Sequence, residues 1–169
     1  MVNKNEFNLS HVLAGLAGAA IGAAATNHQV EEAKKSRAEL DDPDGVREVC
    51  RVVWDALDAC EFDGYSVIED DFVRELACYL MAETDFTLEI HPDTREGQPD
   101  ILIEDSLAIE VKVNPRKNER DRCVGQCAAY SREWPTWIVI VDADPSVVGD
   151  LERLLTDKGL EQIQVWPFD

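Results

Sequence analysis

The sequence is short of positive charge. It has 16 Lys and Arg against 35 Asp and Glu, a formal net charge of −19. Such a field repels a nucleic-acid backbone at long range unless cations are gathered locally or a metal intervenes. The balance argues against a protein that simply coats nucleic acid. Many carboxylates with few lysines also keep a protein soluble in concentrated salt, where the Debye length falls to about 3 Å at 1 M. The composition therefore points to a salt-loving source.

The chain also lacks any C-x-x-C pair. Its five cysteines, Cys50, Cys60, Cys78, Cys123 and Cys127, are odd in number, which speaks against a disulfide framework. Cys123 and Cys127, four apart on one helical face, would suit a metal or an iron–sulfur cluster, but no second ligand pair accompanies them. They read as small reduced core residues of a cytoplasmic protein.

A membrane-length hydrophobic run is missing as well. The uncharged stretch VLAGLAGAAIGAAA, residues 12–25, extends as a helix only about 21 Å, against a hydrocarbon core of about 30 Å. One lysine and one glutamate precede it, a weak signal-peptide start. Ala14, Gly18 and Gly22, spaced by four, form a face that permits close helix contact. Three roles stay open for this arm: a loosely packed helix, a self-association element, or a contact with a membrane surface. The charged stretch that follows ends near Asp41, so we divide the chain into an Ala/Gly-rich arm, 1–40, and a domain, 41–169. One domain of ordinary core size fits this length.

Within the domain the hydrophobic period alternates between 3.6 and 2. Asp42 and Pro43 open a helix with Val46, Val49, Cys50, Val53, Trp54 and Leu57 at helical spacing, ending before Gly64. A second helix begins near Glu69 with Phe72, Val73, Leu76, Tyr79 and Leu80 inward. FTLEI (86–90), DILIE and LAIEVKV read as strands, the last two joined by a turn at Glu104-Asp105-Ser106. A helix near 119–133, the strand TWIVIVDA (136–143), a helix from Ser146 to Lys158 stopped by Gly159, and a short strand in LEQIQVWPF complete the series. A mixed α/β fold with a central sheet follows. Trp134, Trp137 and Trp166 are expected to pack the core and not to stack on bases.

Charge interrupts two of these strands. With the turn centred on Asp105, antiparallel pairing sets Asp100 opposite Glu110, and the strand period puts Lys112 on the same face as Glu110. Two carboxylates held a few ångströms apart repel unless a cation lies between them, and oxygen donors suit Mg²⁺ or Mn²⁺. Such an ion polarises a phosphodiester and acidifies a bound water, while a lysine orients or deprotonates that water. The alternative is plainer: Asp100 enters a strand, and Glu110 and Lys112 form an ion pair on a solvated face.

Three segments decide between these. Gly97-Gln98-Pro99-Asp100, Glu110-Val111-Lys112 and Gln126-Cys127-Ala128-Ala129-Tyr130 resemble, in order and spacing, the GxxD, (D/E)xK and QxxxY motifs of the RecB-like branch of the PD-(D/E)XK nuclease superfamily. The resemblance covers roughly residues 65–166. It implies a restriction-endonuclease-like core of order αβββαβ, a mixed sheet flanked by helices. It further implies that Asp100, Glu110 and the Val111 carbonyl bind the divalent metal, that Lys112 assists the attacking water, and that Gln126 and Tyr130 contact phosphate or support the metal site. The family usually adds a carboxylate from the first core helix. Glu75, Glu69 and Asp71 are the candidates here, and Glu75, bordering the inner face, ranks first.

The charge objection has a local answer. Residues 112–122 hold five bases, Lys112, Arg116, Lys117, Arg120 and Arg122, against Glu119 and Asp121, either a phosphate-binding strip or an ordinary solvated loop and helix start. His91, next to Pro92 ahead of the motif, could reach the site from its loop, but a lone histidine is read as incidental. The expectation is a metal-dependent nuclease with DNA as substrate and no organic cofactor. The competing reading is a nuclease fold that no longer cuts and serves as a binding or structural module assembled through its arm.

Overall fold

The computed structural model describes residues 43–60 and 68–168. The Ala/Gly-rich arm and the roles considered for it fall outside the described residues. Among those described, no helix is long and apolar enough to cross a membrane.

The chain runs α1 (Pro43–Asp58), α2 (Glu69–Glu83), β1 (Leu88–Ile90), β2 (Ile101–Ile103), β3 (Leu107–Val113), α3 (Lys117–Tyr130), β4 (Thr136–Val141), α4 (Pro145–Asp157) and β5 (Gln164–Phe168). The five strands form one sheet in the order β1-β2-β3-β4-β5. β1, β2 and β3 pair antiparallel, whereas β4 is parallel to β3 and β5 to β4. The result is an α/β fold with a mixed sheet flanked by four helices. Only the parallel joins need long crossovers, and α3 and α4 supply them.

Strand periodicity sorts the side chains into two layers. Ile101, Ile103, Leu107, Ile109, Val111, Trp137, Val139 and Val141 pack with Phe72, Leu76 and Leu80 of α2 and Val49 and Val53 of α1. On the other face Leu102, Ala108, Ile138 and Ile140 pack with Cys123, Val124 and Cys127 of α3 and Leu151 and Leu155 of α4. Both faces of β3 and β4 are therefore buried, which is why these strands read as nearly continuous apolar runs. Each fully buried Leu or Ile contributes roughly 1.5–3 kcal/mol.

Local signals set the element ends. Asp144 Oδ1 accepts the Ser146 N–H at 2.8 Å ahead of Pro145. Gly159 closes α4 with φ +68, its N–H reaching Thr156 O while the Leu160 N–H reaches Leu155 O, a Schellman ending. The β2–β3 turn places Glu104 and Asp105 at positive φ and returns the Ser106 N–H to Ile103 O at 2.8 Å. The tryptophans pack as expected. Trp137 is buried, Trp54 meets Trp137 and Trp166 edge-on, and Trp134 Nε1 donates to Asp105 Oδ1 at 3.2 Å. All five cysteines are free thiols, with Cys123 and Cys127 buried.

Ile109 has no exposed surface and lies mid-sheet against the α1/α2 layer. Truncating Ile109→Ala removes this packing and lowers unfolding free energy by about 3 kcal/mol, against about 1 kcal/mol for Ile109→Val. Urea denaturation of the two variants checks this ratio.

Candidate metal and nucleic-acid site

The even-numbered face of β3 breaks the apolar rule. Ala108, Glu110 and Lys112 all point toward α3 because alternate residues share a face. The β2–β3 register pairs Ile101 with Ile109, so the next position out brings Asp100 beside Glu110. Ala108 keeps the layer thin where α3 crosses, and the two charged residues beyond it meet the wall of a cleft of about 740 Å³. The cleft is bounded by the His91–Asp100 loop, the first residue of α2 and one face of α3.

Lys112 is the hub of the cluster. Its Nζ lies 3.1 Å from Glu110 Oε1, 3.8 Å from Asp100 Oδ2 and 2.8 Å from Glu69 Oε1, and it donates to the Val111 carbonyl at 2.6 Å. Asp100 Oδ2 also accepts the Val111 N–H at 2.7 Å, and Asp100 Oδ1 stands 3.5 Å from His91 Nδ1. Glu110 is 1% exposed, and its Oε2 is buried with no hydrogen-bond partner.

Burial dominates the electrostatics. It pushes the Glu110 carboxyl up to about 7, and the neighbouring Asp100 charge pushes the same way against Lys112. Burial likewise raises Asp100, with Lys112 and the Val111 N–H opposing. For Lys112 burial acts downward, yet the attraction of Glu110, then Asp100, outweighs it and holds the ammonium above its ordinary range. The Cys123 contact and burial hold the Cys127 thiol well above the usual thiol range, so it adds no competing charge.

The sequence-predicted residues divide into those the fold gathers and those it does not. Asp100, Glu110, Lys112, Gln126 and Tyr130 all line the cleft. From the first core helix it is Glu69, not Glu75, that reaches Lys112. Six residues later, Glu75 stands about 9 Å further along the α2 axis and does not line the cleft. Asp71 is exposed and pairs with Arg74 at 3.1 Å.

The basic strip is similarly reduced. Arg122 lines the cleft and pairs with no acid among the described residues. Arg120 is turned into the α3/α4 contact, donating to Pro115 O and Asp150 Oδ2. Lys117 pairs with Asp121, and neither it nor Arg116, both exposed, lines the cleft. The cleft face of α3 is the stripe Glu119, Arg122, Gln126 and Ala129, the i, i+3, i+7 spacing of one helical side.

His91 and Glu96 also line the cleft, though neither ranked among the site residues expected from sequence. His91 is placed by a left-handed backbone, φ +50, its N–H bonded to Asp100 O and its carbonyl to Gln98 Nε2. Its position just ahead of the GxxD segment was the signal for it. Glu96, 3.6 Å from Arg132, adds an acid to the rim, and nothing in its spacing marks it.

The donors present suit a hard divalent cation, being carboxylate and carbonyl oxygens with one buried acceptor, Glu110 Oε2, lacking a partner. Among the described residues, however, no group of three or more His, Cys, Asp or Glu side chains stands together as a ready metal cage. Any ion would be held by two carboxylates and main-chain oxygen. Comparison with protein-family models, with curated proteins and with solved structures returned no match.

Removing the ammonium leaves the buried acids uncompensated. Lys112→Met therefore destabilises the fold by about 3–5 kcal/mol at pH 8. Glu110 has a folded value near 7 above its ordinary 4.5, so the native state binds the extra proton in that window. Its contribution is fully favourable below the lower value and is lost as pH rises through the upper one. The Lys112→Met deficit consequently shrinks at pH 5, as paired thermal melts at pH 5 and pH 8 will register.

Proposed function

We propose that the protein is a divalent-metal-dependent nuclease that hydrolyses DNA phosphodiester bonds in this cleft. The observation that carries the reading is the buried cluster of Asp100, Glu110 and Lys112, with Glu110 Oε2 left without a donor at the cleft wall. A site of about 740 Å³ is of the size that takes a small ligand or a nucleotide, in the usual range of roughly 300–1,000 Å³. The helix and strand order supports the restriction-endonuclease-like core that the three motifs imply, with Gly97–Asp100 in the loop leading into β2, Glu110–Lys112 on β3 and Gln126–Tyr130 on α3.

Asp100, Glu110 and the Val111 carbonyl would hold Mg²⁺ or Mn²⁺. Such an ion, when bound, supplies Lewis-acid polarisation of the phosphate and acidification of a water. The chain's own groups do the rest. Lys112, held protonated by its acidic neighbours, acts as a hydrogen-bond donor and local positive charge, orienting a water and offsetting charge on phosphate. Glu69 fixes that ammonium from the α2 side. Gln126, its Nε2 on the Tyr130 hydroxyl, supports the cleft wall, and Arg122 meets an adjacent phosphate. Arg116, Lys117 and Arg120 stay outside the grip, so the backbone is held at few points. Glu96 and Glu119 on the same rim keep the footprint narrow by repulsion.

Labelled single- and double-stranded DNA, incubated with Mg²⁺, Mn²⁺ or EDTA in low and molar salt, tests the reading. Cleavage is expected with metal alone, and Lys112→Ala and Asp100→Ala each lower kcat by at least about 10²-fold. Arg122→Ala raises KM and flattens the slope of log KM against log salt by about one. A folded protein that cuts under none of these conditions would instead be a binding module.

A further inference from the structure

We infer that Tyr130 is a positioning residue: it fixes the Gly97–Asp100 segment from behind and so aims the Asp100 carboxylate, without itself contacting substrate. Its hydroxyl carries one proton, and that proton goes to the Gln98 carbonyl at 2.9 Å. No donor is then left for a phosphate oxygen. The side chain is only 2% exposed, sealed at the base of the cleft.

The ring makes the second contact. A Cβ on Gly97 would stand 3.0 Å from Tyr130 Cε1, and Gly97 adopts φ +126, a conformation that side chains with a Cβ rarely take. Both counts favour glycine there, and the aromatic edge occupies the room its missing side chain leaves. Gly97 is further pinned by its paired backbone bonds with Thr94 and by the Thr94 hydroxyl, which donates to Gly97 O at 2.6 Å. Three residues on, Asp100 turns its Oδ2 onto the Val111 N–H. The segment between has little freedom, since Pro99 fixes its own φ.

Gln126 and Tyr130 thus divide the work of one helical face. Gln126 Nε2 approaches Tyr130 Oη at 3.5 Å, and its Oε1 is buried without a partner. The chain of donors runs from the cleft, through the phenol, into the loop that carries Asp100. Of the two roles the resemblance allows Tyr130, phosphate contact or support of the metal site, a brace between α3 and the GxxD segment is of the second kind. Its consequence for metal binding rests on the function proposed above, whereas the brace itself does not.

Tyr130→Phe keeps the ring and deletes the hydroxyl, and amide hydrogen exchange on the full chain reads the result. Exchange at Gln98, Asp100 and Val111 is expected to quicken on the order of tenfold, while Ile138 and Ile140 stay as in the wild type and the melting temperature moves by a few degrees at most. Gly97→Ala, which drives a methyl into the same ring, loosens the same amides. In cleavage assays Tyr130→Phe needs several-fold more Mn²⁺ for half-maximal rate, and excess Mn²⁺ restores it, with KM for DNA within about twofold. Unchanged exchange at the three amides overturns the proposal, as does a uniform rise across the sheet or a raised KM with the loop undisturbed. If the wild type cuts nothing, the nuclease reading fails while the exchange comparison still decides the brace.

Discussion

Lys112 holds together a charge cluster that the sheet would otherwise expel. Glu110 is nearly sealed in the layer between β3 and α3, and taking an ionised carboxylate out of water costs several kcal/mol even after relaxation. One ammonium, two residues further along the same strand face, answers Glu110, Asp100 and Glu69 together. The rest of the site depends on that placement. The β2–β3 turn sets the register that brings Asp100 alongside, and parallel pairing with β4 fixes β3 in the sheet. The small Ala108 lets α3 pass close enough to wall the cleft. A Lys or Glu moved by one position would turn into the opposite layer, among Leu76, Val139 and their neighbours.

The strongly acidic composition takes on a different meaning beside this geometry. A net charge of −19 gives little electrostatic steering toward a polyanion, and of the candidate cations on α3 only Arg122 turns to the cleft. Under the proposed function, substrate is held chiefly at the reacting phosphate and little along its flanks. Such a grip loses less to screening than a long basic groove would, in keeping with a composition suited to concentrated salt.

Much of this architecture was readable from residue order. The change between periods of 3.6 and 2 located each described helix and strand to within a few residues, because both faces of the sheet are covered and each helix has one apolar side. Gly159 marked the end of α4 for a stereochemical reason that needs no tertiary context. The convergence of Asp100, Glu110 and Lys112 followed from the strand period and a symmetric turn, both local properties. Glu69 was harder to see. Helical phase favoured Glu75, but the distance that matters is along the α2 axis, and it is set by how α2 docks on the sheet. For the same reason Arg120 looked like a phosphate ligand until the packing of α4 against α3 turned it toward Asp150. His91 could be suspected from its place just ahead of the GxxD segment, but no side-chain pattern announces the left-handed backbone it adopts there.

Calorimetric titration of the protein with Mn²⁺, beside Glu110→Gln and Asp100→Asn, tests most directly whether this cluster is a metal site. The account predicts saturable binding to the wild type that either substitution weakens at least about tenfold, a change of about 1.4 kcal/mol. Equal binding by all three proteins, or none by the wild type, would contradict it.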